Sequence, residues 1–389
     1  MAGEKSSPDD THSSRVIRVV FLALLLDLLG FTLILPLLPS ILDHYSKTGD
    51  SVYLSLQSVV DWFRGSVGIP LERKYTSVLF GGLIGSLYSL LQFISAPVIG
   101  AASDQYGRRP LLLLTTVGLI FSYILWAVSH SFSVFLLSRV VGGICKGNVS
   151  LCTAVVADLP CPKARNRGMD TAELKGIQKI GDLLNPVALF NFSAVTRTKE
   201  PPAKERMRNL KVLGLVYFTY LFLFSGLEFT LSFLTHQRFQ FSSMQQGKMF
   251  FFIGITMAAF QGGYARRIQP AQQIRTVRMA ILLLIPAFIL IGIAWNLILL
   301  YISLLLYSFA AAIVVPCLSA QVSGHGTASQ KGTVMGILRS LGALARALGP
   351  VVASSVYWLA GAEMCFIISS AFFIAPLILL SRLEEHKED

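Results

Sequence analysis

The chain has 389 residues, 53% of them hydrophobic and only 14% charged, and its 33 Lys and Arg outnumber 21 Asp and Glu for a formal net charge of +12. Its mean hydropathy is +0.63, whereas a soluble domain carries about 25% charged residues, so an ordinary soluble fold is excluded. The basic surplus sits between apolar runs and forms no polar stripe, which excludes nucleic acid as the partner.

A helix crossing the roughly 30 Å hydrocarbon core needs about 20 apolar residues, and ten such runs are predicted. The first, 16–42, is too long for a secretory signal, lacks an A-x-A-like cleavage site and contains Asp27, so it is expected to stay as a helix. A loop over 43–74 follows. In it Leu56, Val59, Val60, Phe63 and Val67 recur at helical spacing opposite Asp61 and Arg64. That pattern predicts a short amphipathic helix, lying in the membrane interface or packed on the mouth of the bundle. Three more runs come next, at 77–103, 110–129 and 132–159. The stretch 159–211 carries 11 Lys and Arg against 5 Asp and Glu and cannot span. Six further runs fall at 212–234, 249–265, 277–295, 297–322, 332–357 and 364–383.

The basic residues orient these runs. Arg15, Arg18, Arg108, Arg109, the 159–211 segment, Arg266, Arg267, Arg275, Arg278 and Lys331 all fall on one side if the N-terminus is cytoplasmic. The loop on the other side balances Lys47, Arg64, Arg73 and Lys74 with four acids. Both termini are therefore expected in the cytoplasm, of the plasma membrane or an intracellular one. The reading is an all-α polytopic membrane protein with a four-helix bundle over 1–158, a basic linker over 159–211 and a six-helix bundle over 212–389. The sequons at Asn148 and Asn191 fall in a span and in the linker, so neither is expected to be modified. The five cysteines (Cys145, Cys152, Cys161, Cys317, Cys365) form no CxxC pair and read as small apolar fillers.

The connection Gly100-Ala-Ala-Ser-Asp104-Gln-Tyr-Gly107-Arg108-Arg109 permits a tight reversal at its glycines. It places Asp104 four residues before Arg108 and within reach of a helix start that favours an anion. This matches the G-x-x-x-D-x-x-G-R-K/R signature of the major facilitator superfamily, which the chain resembles. Asp27-Leu-Leu-Gly30 with Pro36 and Pro39, Arg139-Val-Val-Gly-Gly143, the run Asp158 to Arg165, and Lys331-Gly-Thr-Val-Met-Gly336 are similar to further motifs of that family. Gly30-Phe-Thr-Leu33 echoes Glu228-Phe-Thr-Leu231, as repeated halves of such a fold would. Within the family the pattern resembles the tetracycline-transporter-like branch of organic anion exporters, chiefly over 225–243 and 332–346.

The resemblance implies a secondary active transporter working by alternating access. It makes Gly100, Asp104, Gly107, Arg108, Arg109 and Asp158 a conformational latch closing against the helix at 332–357. It also implies twelve helices, and here the chain departs from it. After Arg165-Asn-Arg-Gly-Met169, where a fifth helix would begin, the sequence reads Asp170-Thr-Ala-Glu-Leu-Lys-Gly-Ile-Gln-Lys179. Two helices and the antiporter motif of the fifth are missing, as from splicing or misassembly of the gene product. Losing an even number leaves the later orientation unchanged. Without that wall the chain is expected to insert but not to transport by itself, and the alternative is a transport-dead membrane protein that binds or regulates a full-length sibling.

An ionisable side chain at the centre of a span costs about 2.5 kcal/mol or more, so each calls for a function. The runs hold Asp27, Arg139, Lys146, Glu228, Arg339 and Arg346. Four cations against two anions suit a small organic anion, with arginine offering a planar fork to a carboxylate or sulfonate. Mutual structural pairing is the competing explanation for each. Asp27 is the first candidate for a coupling proton. The six histidines lack metal-ligand spacing and there is no G-x-x-x-x-G-K-S/T loop, so neither an enzyme, a metal nor another cofactor is expected. Lipid, an organic anion and a proton are the expected partners.

Overall fold

In hydrocarbon an unpaired backbone N–H or C=O is costly, so a chain this apolar closes its hydrogen bonds inside helices. In the computed structural model, residues 32–67, 76–147, 151, 184–196, 203–325, 331–381 and 383 are described, preceded by 19, 22, 23, 26, 27, 29 and 30. Among them every regular element is helical. The first bundle has α1 (Ile34–Thr48), α2 (Ser51–Val67), α3 (Thr76–Tyr106), α4 (Arg108–Ala127) and α5 (Phe132–Cys145). Two short helices, α6 (Pro186–Phe190) and α7 (Ser193–Thr196), lie in the linker. The second bundle has α8 (Lys204–Phe239), α9 (Ser243–Gly263), α10 (Gln273–Ile293), α11 (Leu297–Gly324), α12 (Lys331–Phe372) and α13 (Ile374–Ser381).

Six described stretches are long and apolar enough to cross a membrane: Ser77–Ile99, Arg109–Ala127, Lys204–Phe239, Pro270–Ile293, Leu297–Gly324 and Val334–Ser381. Several boundaries differ from the sequence expectation for physical reasons. The run at 132–159 is broken at Cys145 by a turn at 146–147, where Gly142, Gly143 and Gly147 weaken helix propensity. The run expected at 212 starts eight residues earlier, because Lys204–Lys211 extends α8 beyond its apolar core. The last stretch is two helices meeting at Gly361, whose φ of 85° breaks the helix. A further turn at Phe373 precedes Pro376, which has no N–H to continue the ladder.

The amphipathic segment is helical, as α2, and docks through Tyr53 with Val52 and Val60 packed beside it. Tyr53 is buried edge-on against Phe80 and Phe132, while Leu56, Val59 and Trp62 remain exposed. In the linker, Leu189, Phe192 and Val195 are fully buried against α8 and α12, with Phe190 edge-on to Phe218. The Lys211 amine donates to Asn191 Oδ1 at 3.2 Å. Residues 170–179 lie outside the described residues.

The helix ends sort into two levels. At the distal level the Tyr45 hydroxyl donates to the Ser129 carbonyl at 3.3 Å. Asp50 caps two helices there, accepting from Val52 N at 2.9 Å and from Phe132 N at 3.0 Å. Arg238 donates to the carbonyls of Gly292 and Ala294 at 2.6 and 3.0 Å. The other level holds the turn at Gly107, the connection 264–272 and the linker helices, and there Gln321 donates to the Pro270 carbonyl at 2.8 Å. The two bundles meet where α3 packs on α12. Proline 350 interrupts the ladder of α12, and the next amide, Val351 N, donates across the interface to Ser86 Oγ at 3.0 Å.

Candidate functional site

The site builds up from charges that the apolar helices cannot leave alone. In the first bundle α5 carries Arg139 inward, and the turn ending α5 presents Lys146. Both are buried, 4% and 6% exposed. The Lys146 amine donates to Asp27 Oδ2 at 2.6 Å, a pair joining positions 119 apart in the chain. The second carboxylate oxygen, Asp27 Oδ1, is buried without a hydrogen-bond partner. Asp27 and Lys146 thus form a buried ion pair.

Arg139 is held differently. Its guanidinium carbon lies 4.6 Å from the Trp126 ring centre, 5.7 Å from Tyr88 and 5.8 Å from Phe135, a set of cation–π contacts worth about 0.5–2 kcal/mol each. Its Nε donates to Ser138 Oγ at 3.4 Å. Among the described residues no carboxylate pairs with it. Ser122, which donates to the Ser138 carbonyl at 2.7 Å, ties α4 to α5 at this depth. Trp126 also lines a cavity of about 300 Å³ with Leu37, Ser40, Ile41, His44, Tyr45 and Ser129.

In the second bundle Glu228 on α8 accepts from the Tyr307 hydroxyl of α11 at 3.1 Å. The Tyr220 hydroxyl, two turns earlier on α8, is buried without a partner. Arg346 on α12 is half-buried and makes no ion pair with a described residue, whereas Arg339 is exposed. Five of the six ionisable residues thus fall in two groups, Asp27–Lys146–Arg139 and Glu228 near Arg346, with no ion pair between the groups among the described residues. The sequence did not single out the aromatic partners Tyr88, Trp126, Tyr220 and Tyr307. Their only signal was a ring at helical spacing in an apolar run, which is also what core packing looks like.

Of the residues assigned to the latch, Gly107 sits at φ 91° between α3 and α4, a conformation that strains any L side chain. Arg109 is exposed in the first turn of α4. Positions 100, 104 and 108 are helical, but the side chains of Asp104 and Arg108 lie outside the described residues, as does Asp158 altogether. No group of three or more His, Cys, Asp or Glu among the described residues could hold a metal ion.

Two helical bundles packed along α3 and α12, each with ionisable residues buried in its apolar helices, define a polytopic membrane protein of the solute-carrier type. Residues 20–174 and 170–350 match the profile of the Major Facilitator Superfamily, and the chain belongs to that family of transporters. It is 53% identical to the mouse "Major facilitator superfamily domain-containing protein 10" over 435 aligned positions, covering 98% of this chain and 95% of that one. A crystal structure of the human organic anion transporter MFSD10 (TETRAN) superposes with a TM-score of 0.78 at 52% identity, covering 96% of this chain and all of the other. The class D tetracycline resistance protein of Salmonella ordonez is 26% identical over 370 positions, covering 86% of this chain and 87% of that protein. An alignment of 435 positions against a chain of 389 leaves at least 46 positions with no residue here.

Proposed function

We propose that the chain binds small organic anions between its two bundles and is built for alternating-access transport. The observation that carries this is Arg139, a buried cation framed by three aromatic rings with no carboxylate partner among the described residues. A cation kept at membrane depth without a fixed anion has its charge available for a ligand, and the rings add a face for a planar one. Arg346 supplies a second cation from the other bundle, and Lys146 keeps Asp27 from competing with the ligand. The relative described as an organic anion transporter fits this chemistry. Gly100, Asp104, Gly107, Arg108, Arg109 and Asp158 form the latch in this reading, ten helices span the membrane, and both termini are cytoplasmic.

The test is equilibrium binding of a fluorescent carboxylate to the purified chain. Arg139→Gln should weaken it by about tenfold or more, since a hydrogen bond to a charged group contributes about 1.5–3 kcal/mol. The affinity for a neutral analogue should change little. Equal losses for both ligands would make the arginine structural.

The unmatched positions favour a second reading for this chain in particular. The two profile matches meet at 170–174, where the sequence departs from the family pattern, and 46 or more residues suffice for two spans and a turn. A first bundle without that wall would retain the anion site and not complete transport. In proteoliposomes, binding without substrate-saturable uptake supports this second reading, and saturable, inhibitor-sensitive uptake overturns it.

A further inference from the structure

At the distal level the two bundles are joined by side chains that neither the anion site nor the latch uses. Ser40 of α1 lies 3.0 Å from Ser243 of α9, Oγ to Oγ. One turn further along α1, Asp43 Oδ2 lies 2.8 Å from Nε2 of His236, near the end of α8. The other ring nitrogen of His236, Nδ1, is 3.1 Å from the carbonyl oxygen of Phe241. That carbonyl belongs to the turn between α8 and α9.

Both partners of this imidazole are acceptors. A neutral imidazole has one N–H, so it can donate to the carbonyl or to the carboxylate but not to both. The observed geometry is satisfied when the pair holds one more proton than a neutral histidine beside a carboxylate. With that proton His236 donates on both sides, clamping α1 to the end of α8 by a charge-assisted bond. Without it, one of the two contacts sets acceptor against acceptor. We infer that His236 and Asp43 form a proton-dependent clasp that holds the distal ends of the two bundles together.

The other charged groups at this level are differently engaged. Arg238 is bound to the carbonyls of Gly292 and Ala294 and to Glu363 at 3.1 Å. Asp50 is occupied in capping α2 and α5. His44 and Lys47 on α1, His130 in the turn after α4 and Lys248 on α9 are exposed. The clasp needs the added proton, so lowering the pH makes it and raising the pH releases it. The side chains of His236 and Asp43 are 24% and 44% exposed. The clasp is therefore open to the aqueous phase at that end and modest in strength.

The role of this clasp in a transport cycle rests on the alternating-access reading, but its existence does not, and the experiment reads closure without substrate. Amide exchange is measured on the purified full chain in nanodiscs at about pH 5.5 and about pH 8, corrected for the intrinsic pH dependence of exchange. Amides in 37–46 and 236–246 should exchange about threefold more slowly at the acid pH. Asp43→Asn and His236→Gln should abolish that difference, and His236→Arg, permanently charged, should stay slow at both pH values. Unchanged protection in α10 and α11 checks that each variant is folded. If His236→Gln fails this check, Asp43→Asn and His236→Arg decide between them. No pH difference in the parent chain, or one surviving in folded Asp43→Asn, overturns the clasp. An anion-binding failure with the clasp intact would leave it standing.

Discussion

Lys146 and Asp27 show how a charge is kept at membrane depth. Each is nearly buried, and removing Lys146 takes from the Asp27 carboxylate its paired cation. Such an uncompensated charge costs about 3–5 kcal/mol in protein interiors. Lys146→Met should therefore lower the thermal midpoint in detergent well below that of the parent, while Lys146→Met combined with Asp27→Leu should recover most of the loss. Additive losses in the double variant would show that the two side chains are not coupled. Asp50 makes a milder prediction. Its carboxylate caps α2 and α5 together, so Asp50→Ala should cost about 1–2 kcal/mol, the scale of a lost N-cap, and Asp50→Asn much less, read in the same melt. The ionisable residues were legible in the sequence because a charge in an apolar run is expensive wherever it points. Their partners were not, because 119 positions separate Lys146 from Asp27 and 193 separate His236 from Asp43, and local pattern carries no information over such distances.

At the scale of elements, close helix crossings hold the second bundle together. A Cβ built on Gly226 of α8 would lie 2.7 Å from the carbonyl oxygen of Gly349 on α12, a backbone atom that cannot rotate away. Gly226→Val should therefore force the two helices apart. The expected cost is about 1–3 kcal/mol or more, seen as a lower melting temperature and a loss of monodispersity. A variant that melts with the parent would mean that the crossing is not a close one. The helical runs were readable from hydropathy alone, since each must satisfy its own backbone in lipid. Their ends were less readable. The break of α5 at Lys146, the early start of α8 and the kink at Gly361 depend on glycines, a linker and a buried ion pair, none of which changes mean hydropathy much. The amphipathic pattern at 56–67 did mark a helix. How it docks was settled by Tyr53 meeting Phe80 and Phe132, a contact between three elements, with Val52 and Val60 packed on the core as well.

For the molecule as a whole, the family rests on matches over almost the entire chain, and the unmatched positions bear on whether 389 residues suffice for transport. If the unmatched positions hold helices that transport needs, co-expression of a full-length relative should not be needed for anion binding but should be needed for saturable uptake. Uptake by this chain alone at a comparable rate would remove the second reading. The amino-acid sequence by itself determined that this is a multi-pass, all-helical membrane protein, because backbone satisfaction in lipid and the cost of buried charge act locally and leave their mark on every run. The motif at 100–109 carried the resemblance to the major facilitator family. Only the tertiary structure decided which side chains these charges meet. It paired Lys146 with Asp27, framed Arg139 with rings from three helices and set His236 between two acceptors. The physical reason is that pairing depends on how helices far apart in sequence are rotated and packed against one another, which is fixed by the fit of their side chains and not by the hydropathy of any one of them.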